Sequence, residues 1–203
     1  MFAVGHLSLG YLSAKATGKL LHQEINLPIV FLLSLIPDAD LLVPVLTHRT
    51  ATHSIIVAFA AFIPILILFK NRAVPYLMAL VQHTLIGDFL TGGGSQMLWP
   101  LTSASYGLGV PIFSTANILM EWSSFLIAGL VMYRTKDLER LLRGRIAHVL
   151  LGVPIIAVLL PSLLRYPLPV PPELLIPHAL YLIAFALSIT HFAKTTLTKS
   201  FKK

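Results

Sequence analysis

The chain contains no cysteine. Disulfides and thiolate metal sites are therefore excluded, and any bound metal must be held by His, Asp, Glu or carbonyl oxygen. Charge is scarce: Asp, Glu, Lys and Arg make up 11% of the 203 residues, against about 25% in a soluble domain. Set beside 56% apolar residues, that scarcity argues against a soluble globular protein and against disorder. The N-terminus, Met1-Phe2-Ala3-Val4-Gly5-His6, lacks a basic region ahead of its apolar stretch and has no obvious small-residue cleavage site. This predicts no removable signal peptide. No internal repeat is visible.

Long apolar runs are what the chain does have, with a mean hydropathy of +0.83. Segments 2–21, 51–69, 73–90, 114–133, 146–164 and 174–193 are each long enough, or nearly so, to cross a bilayer. A seventh run after Pro28 stops at Pro37-Asp38-Ala39-Asp40. It is short for a full crossing, and whether residues 27–37 span is left open. The expected fold is all-α: a polytopic transmembrane bundle of six to seven helices forming one integral membrane domain over 1–203. Residues 1–113 supply its polar site. Residues 114–203 add further transmembrane helices and a basic tail.

The net charge of +7 comes from 15 Lys+Arg against 8 Asp+Glu. Nucleic acid is not the implied partner, because the basic residues sort by side of the membrane. If the tail is cytoplasmic, alternating helices place all of them except Arg49 and Arg165 on that side. The bilayer is the expected partner, in a multi-pass cell-membrane protein whose N-terminus lies outside.

The same threading gathers His6, Asp38, Asp40, His48, Arg49, His53, His83, Asp88 and Thr91 near the outer, extracytoplasmic end. Ionisable residues inside an apolar protein are costly and functional by default. Four His and three Asp are a ligand set for a hard or borderline divalent cation. Arg49 adds a planar fork for phosphate or carboxylate. His48 and His53 stand five apart at a loop-to-helix entry, where Thr50 or Thr52 could simply cap the helix. His83 and Asp88 are also five apart, which ideal geometry separates by ~140° around the axis. A π-bulge at Gly87 would bring them together; otherwise only one points inward. The Gly92–Gly94 loop could turn backbone N–H groups toward an anion, or be a plain helix end. Glu121 is read as a ligand, as support for ligands, or as a structural hydrogen-bonding group. Thr91 and Ser54 are candidates for supporting the ligands. His22, His148 and His191 read as packing or interfacial histidines, His178 stays open, and Trp99 and Trp122 read as interface and packing aromatics.

Several of these elements, in order, resemble the membrane-bound metal-dependent hydrolases. They are Gly5-His6, Ile36-Pro37-Asp38-Ala39-Asp40, His48-Arg49-Thr50-Ala51-Thr52-His53-Ser54, His83 with Gly87-Asp88-Phe89-Leu90-Thr91, and Trp99-Pro100. That family includes a LexA-regulated bacterial inner-membrane type and is distantly similar to zinc-dependent phospholipase C. In the family pattern the later His and Asp stand four apart; here Thr84 occupies that position and His83 is one residue earlier.

The resemblance and the residues together imply a membrane hydrolase with one or more divalent ions, zinc first and Mn or Mg as alternatives. His6, Asp38, His48, His53, His83 and Asp88 are the expected ligands. Asp40 or Asp88 would take a proton from water and Arg49 would bind a phosphoryl oxygen. A phosphoester or lipid-like substrate suits a site at the membrane surface. The alternatives are a transporter of ions or protons, or a non-catalytic membrane protein with a structural metal. Oligomeric state is not legible.

Overall fold

Hydrophobic runs become helices here because a backbone in lipid must satisfy its own hydrogen bonds. The computed structural model describes residues 1–200, with side chains to residue 196. Lys202 and Lys203 of the expected basic tail lie outside the described residues. The order is α1 (Ala3–Leu20), α2 (Leu27–Leu35), α3 (Ile55–Phe69), α4 (Val74–Gln82), α5 (Thr115–Arg134), α6 (Asp137–Leu142), α7 (Ile146–Leu163) and α8 (Leu175–Ser200). Among the described residues the only β-type pairing is in isolated bridges, Thr91 with Val110 and Ser95 with Tyr106. The fold is all-helical.

Among the described residues, four segments are long and apolar enough to cross a membrane: Ile55–Arg72, Thr115–Arg134, Ile146–Leu163 and Pro172–Thr196. Their faces differ from that of α1. Along α3 only Phe62 is buried, so this helix turns its apolar surface outward, as a lipid solvent permits. The less apolar α1 is the central helix and packs on α2, α4 and α5. Its small residues Gly5, Ser8, Gly10, Ala14 and Gly18 are all buried, which lets neighbouring backbones approach. Tyr11 of α1, Phe31 of α2 and Phe185 of α8 stack in the core, with Phe31 and Phe185 centroids 5.0 Å apart.

Two boundaries depart from the sequence expectation. The helix expected from residue 51 starts at Ile55, and its cap is Ser54, whose hydroxyl accepts from Val57 N–H at 3.3 Å. Neither Thr50 nor Thr52 caps it; Ala51–His53 forms a separate 3-10 turn. The stretch between the expected helices 114–133 and 146–164 contains α6, whose Asp137 carboxylate binds Lys15 of α1 and accepts from Tyr11 at 2.9 Å.

The start of α1, the end of α2, the start of α3, the end of α4 and the start of α5 all lie at one end of the bundle. They meet through contacts of His6, Asp38, His53, Asp88 and Glu121 with one another or with α1. Lys15, Arg140 and their acidic partners lie at the other end.

Candidate metal centre

Each imidazole and carboxylate of the cluster is delivered by a helix end. After α2 the chain turns through a 3-10 segment, Ile36–Leu42, carrying Asp38 and Asp40. The turn before α3 carries His53. The end of α4 winds as a π-helix over His83–Asp88. A π turn holds one residue more than an α turn. It therefore brings a pair spaced by five to one face, as a pair spaced by four would lie in an α-helix.

Four atoms converge. His53 Nε2 is 3.4 Å from Asp38 Oδ1 and 3.3 Å from Asp88 Oδ2. His83 Nε2 is 3.3 Å from Asp38 Oδ1 and 4.0 Å from Asp88 Oδ2. His53, His83 and Asp88 are buried, and three of the converging atoms, His53 Nε2, His83 Nε2 and Asp88 Oδ2, are buried without any hydrogen-bond partner. Orphaned polar atoms are expensive, and this group of buried His and Asp could hold a metal ion. Donors around a tetrahedral ion with bonds of ~2.0–2.1 Å stand about 3.3–3.4 Å apart. Three of the four separations match that edge.

The surrounding hydrogen bonds set the tautomers. His83 Nδ1 is 2.8 Å from the Ser34 carbonyl. A carbonyl only accepts, so Nδ1 carries the hydrogen and Nε2 keeps its lone pair. His53 reaches the same state through Thr52. The Thr52 hydroxyl donates to Asp40 Oδ2 and lies 3.0 Å from His53 Nδ1. With its hydrogen committed to Asp40, the hydroxyl can only accept from His53. Orientation by a carbonyl or carboxylate behind the imidazole is what metal-binding histidines require.

The flanking residues take distinct places. The His6 ring stacks on His83 with centroids 3.7 Å apart, and its Nε2 is 3.9 Å from Asp88 Oδ1. Gly87 makes room for that ring: a Cβ there would fall inside the imidazole. His48 donates Nδ1–H to Asp40 Oδ1 at 2.9 Å and is 35% exposed, on the open side of the cluster. Three groups, His6–Asp38–His83, Asp38–His48–His53 and His53–His83–Asp88, each bring one donor atom per residue within 4.8 Å. The expected histidines and aspartates are thus one contiguous cluster, with Asp40 behind it rather than among the converging atoms.

Arg49 Nη2 donates to Asp88 Oδ1 at 3.4 Å and Nη1 to the Gly94 carbonyl at 3.2 Å. Asp88 is therefore divided, with Oδ1 toward the guanidinium and Oδ2 toward the two imidazoles. Gly92, at φ +83, lies against the guanidinium, where a side chain would collide with it. The glycine loop does not offer its Gly92 N–H to an anion. That N–H donates to the Val110 carbonyl at 2.8 Å, and the loop gives Arg49 a carbonyl instead.

Three candidates bond to backbone beside the cluster. The Glu121 carboxylate accepts from Phe2 N–H and Gly5 N–H at 2.5 Å each, at the start of α1. The Ser54 hydroxyl donates to the Trp99 carbonyl at 2.5 Å. Thr91 Oγ1 donates back to the Gly87 carbonyl at 3.2 Å. Thr52 and the Ser34 carbonyl were missed. A hydroxyl directly before a ligand-type histidine was the only signal for the first, and a backbone carbonyl leaves none.

Charge balance agrees with a cation. Burial pushes the Asp38 carboxyl up, but His83, His53 and His6 around it hold it well below the ordinary carboxylate range. Burial pulls His53 down, and its contacts with Asp38 and Asp40 more than reverse this, raising it to about 9. Without an ion the carboxylates hold a proton on His53, which a cation would have to displace before Nε2 could offer its lone pair.

Residues 1–153, about three quarters of the chain, match the model of a family described as YdjM inner membrane protein. No curated protein and no solved structure matches the chain.

Proposed function

The chain belongs to the YdjM inner membrane protein family, and from that premise we propose a membrane-bound, metal-dependent hydrolase acting on a phosphoester of an amphiphile. The observation that carries the reading is the convergence of His53, His83, Asp38 and Asp88 on one point with their facing atoms otherwise unpaired. These four hold the ion in this reading, and His6 and His48 flank it, near enough to bind a second. The donor set and its spacing suit zinc; octahedral neighbours at ~2.1 Å bonds would stand nearer about 3.0 Å apart. When bound, such an ion supplies Lewis acidity to a phosphoryl oxygen and makes a water more acidic.

The residues around it do the rest. Asp40 holds Nδ1–H of His48, which leaves His48 Nε2 with a lone pair on the open side, to ligate or to take a proton. Arg49 is 22% exposed and has donors beyond those given to Asp88 and Gly94, so it meets an anionic oxygen entering from that side. A site at the end of lipid-facing helices suits a substrate with its head in water and its tail in the bilayer. The test is metal analysis of the purified protein together with hydrolysis of phosphoester lipids. Stoichiometric metal with no turnover of any phosphoester would reduce the site to a structural one.

Arg49→Lys separates anion binding from scaffolding. It keeps the charge and loses the bidentate fork. The expected result is wild-type metal content with turnover at least ~10-fold slower, about 1.4 kcal/mol in the barrier. Turnover unchanged with metal intact would remove the anion role.

The site is proposed to face away from the cytoplasm, since it lies at the end opposite Lys15, Arg140 and most other basic residues. The chain has no cysteine, so single cysteines report cleanly. Thr47→Cys and Ser105→Cys, both at exposed positions, are expected to react with an impermeant maleimide from the outer side. Labelling only from the cytoplasm would reverse the orientation.

A further inference from the structure

A cavity of about 440 Å³ lies at the end of the bundle opposite the metal cluster, between the start of α2, Tyr76 of α4 and the α6–α7 junction. Its lining holds three guanidinium groups, Arg140, Arg143 and Arg145, against one carboxylate, Glu24. Arg140 is bound to Glu24 at 2.6 Å, a solvated rim contact with 45% and 82% of those side chains exposed, and its Nη1 donates to the buried Asp137 at 3.4 Å. Arg143 reaches Glu139 at 3.6 Å with both side chains mostly exposed. Arg145 has no ion pair among the described residues.

The neutral lining groups are donors in waiting. His148 Nδ1 lies 2.7 Å from the Arg145 N–H and 3.0 Å from the Arg145 carbonyl; the shorter contact, with Nδ1 accepting, puts the ring hydrogen on Nε2. That atom is buried and has no partner. The Tyr76 hydroxyl oxygen accepts from Asn26 N–H at 2.8 Å, which leaves its own hydrogen to give. Asn26 Oδ1 is an acceptor buried without a donor beside it. Guanidinium, phenol and imidazole N–H are the groups that bind a phosphate oxygen.

We propose that this cavity is a binding site for a phosphate-bearing anion, independent of the metal cluster. Two sources carry that chemistry, an anionic lipid headgroup and a free phosphate compound. The lipid fits the setting. Ile146, Val149 and Val153 of α7, next in sequence to the lining residues, are 78%, 53% and 41% exposed and offer an acyl chain an apolar track. Basic pockets between helices at the cytoplasmic surface bind anionic headgroups in the same way.

The experiment uses the full chain, purified in detergent and stripped of lipid. Native mass spectrometry measures adducts with phosphatidylglycerol and with phosphatidylcholine, and thermal unfolding is followed with and without inorganic phosphate. Retention of phosphatidylglycerol over phosphatidylcholine is expected, falling about five-fold for each guanidinium removed in Arg143→Gln and Arg145→Gln. Arg72→Gln, exposed at the same end but outside the cavity, should leave it unchanged. No headgroup preference but a phosphate-induced stabilisation that Arg145→Gln abolishes would support the site with the free anion as its source. Equal behaviour of the wild type and both cavity variants in both measurements would overturn the proposal. Neither readout depends on hydrolysis or on the metal.

Discussion

His53→Ala and His83→Ala are each expected to lose bound metal, with affinity down by more than the 10–100-fold that outer partners of a ligand are worth, and to lose phosphoester turnover with it. Each removes an atom that faces both Asp38 and Asp88. It also leaves two carboxylates beside each other with less positive charge between them, which a low-dielectric site tolerates poorly. His191→Ala, with an exposed side chain on α8, should keep metal and activity. Metal content by mass spectrometry, with thermal unfolding as the control for folding, checks all three. A sharper variant is deletion of Leu85, which is 44% exposed in the π turn. Removing one residue converts the π turn to α-helix while keeping the flanks in phase. His83 and Asp88 then stand four apart on one face, so this variant is expected to retain metal. Wild-type metal in His53→Ala and His83→Ala would take the two imidazoles out of the site.

Glu121→Ala is expected to be the most destabilising single change outside the cluster. The carboxylate is fully buried and takes the Phe2 and Gly5 N–H groups at the first turn of α1. An N–H left buried without an acceptor costs ~1–3 kcal/mol, so losing the acceptor of both should cost about 2–6 kcal/mol. The same turn carries His6, so metal affinity should fall as well, but less than for loss of a converging ligand. Glu121→Gln keeps an acceptor and should recover part of the stability. Thermal unfolding in detergent reads both, and an unchanged midpoint for Glu121→Ala would show that α1 does not depend on this cap.

Much of the bundle was legible because its cause is local. Apolar length decides where a chain becomes helix in lipid, so the expected segments 2–21, 114–133 and 174–193 start within one residue of α1, α5 and α8. Alternation of those segments also placed His6, Asp38, His53, His83 and Asp88 at one end before any coordinates, since each sits at a helix end of the same polarity. Thr52 was not legible. Its hydroxyl has two local uses, capping α3 or linking His53 to Asp40, and the choice depends on Ser54 taking the cap and on Asp40 arriving from α2.

The amino-acid sequence by itself determined that this is an all-helical membrane chain, which residues are charged within it, and the end of the bundle where they meet. Hydropathy, spacing and the absence of cysteine are properties of the chain alone. Only the tertiary structure decided how those residues divide their work. Whether α1 or α3 faces lipid depends on packing, and the more polar α1 went inside. Whether His83 and Asp88 share a face depends on one extra residue per turn, which the π-helix supplies, with the His6 ring packed against Gly87 there. Whether Asp40 faces the converging atoms or stands behind them depends on His48 and Thr52 taking both its oxygens. Arg49 went to Asp88 and Gly94 for the same reason: a guanidinium needs acceptors at fixed distances, and the fold supplied them across long stretches of sequence.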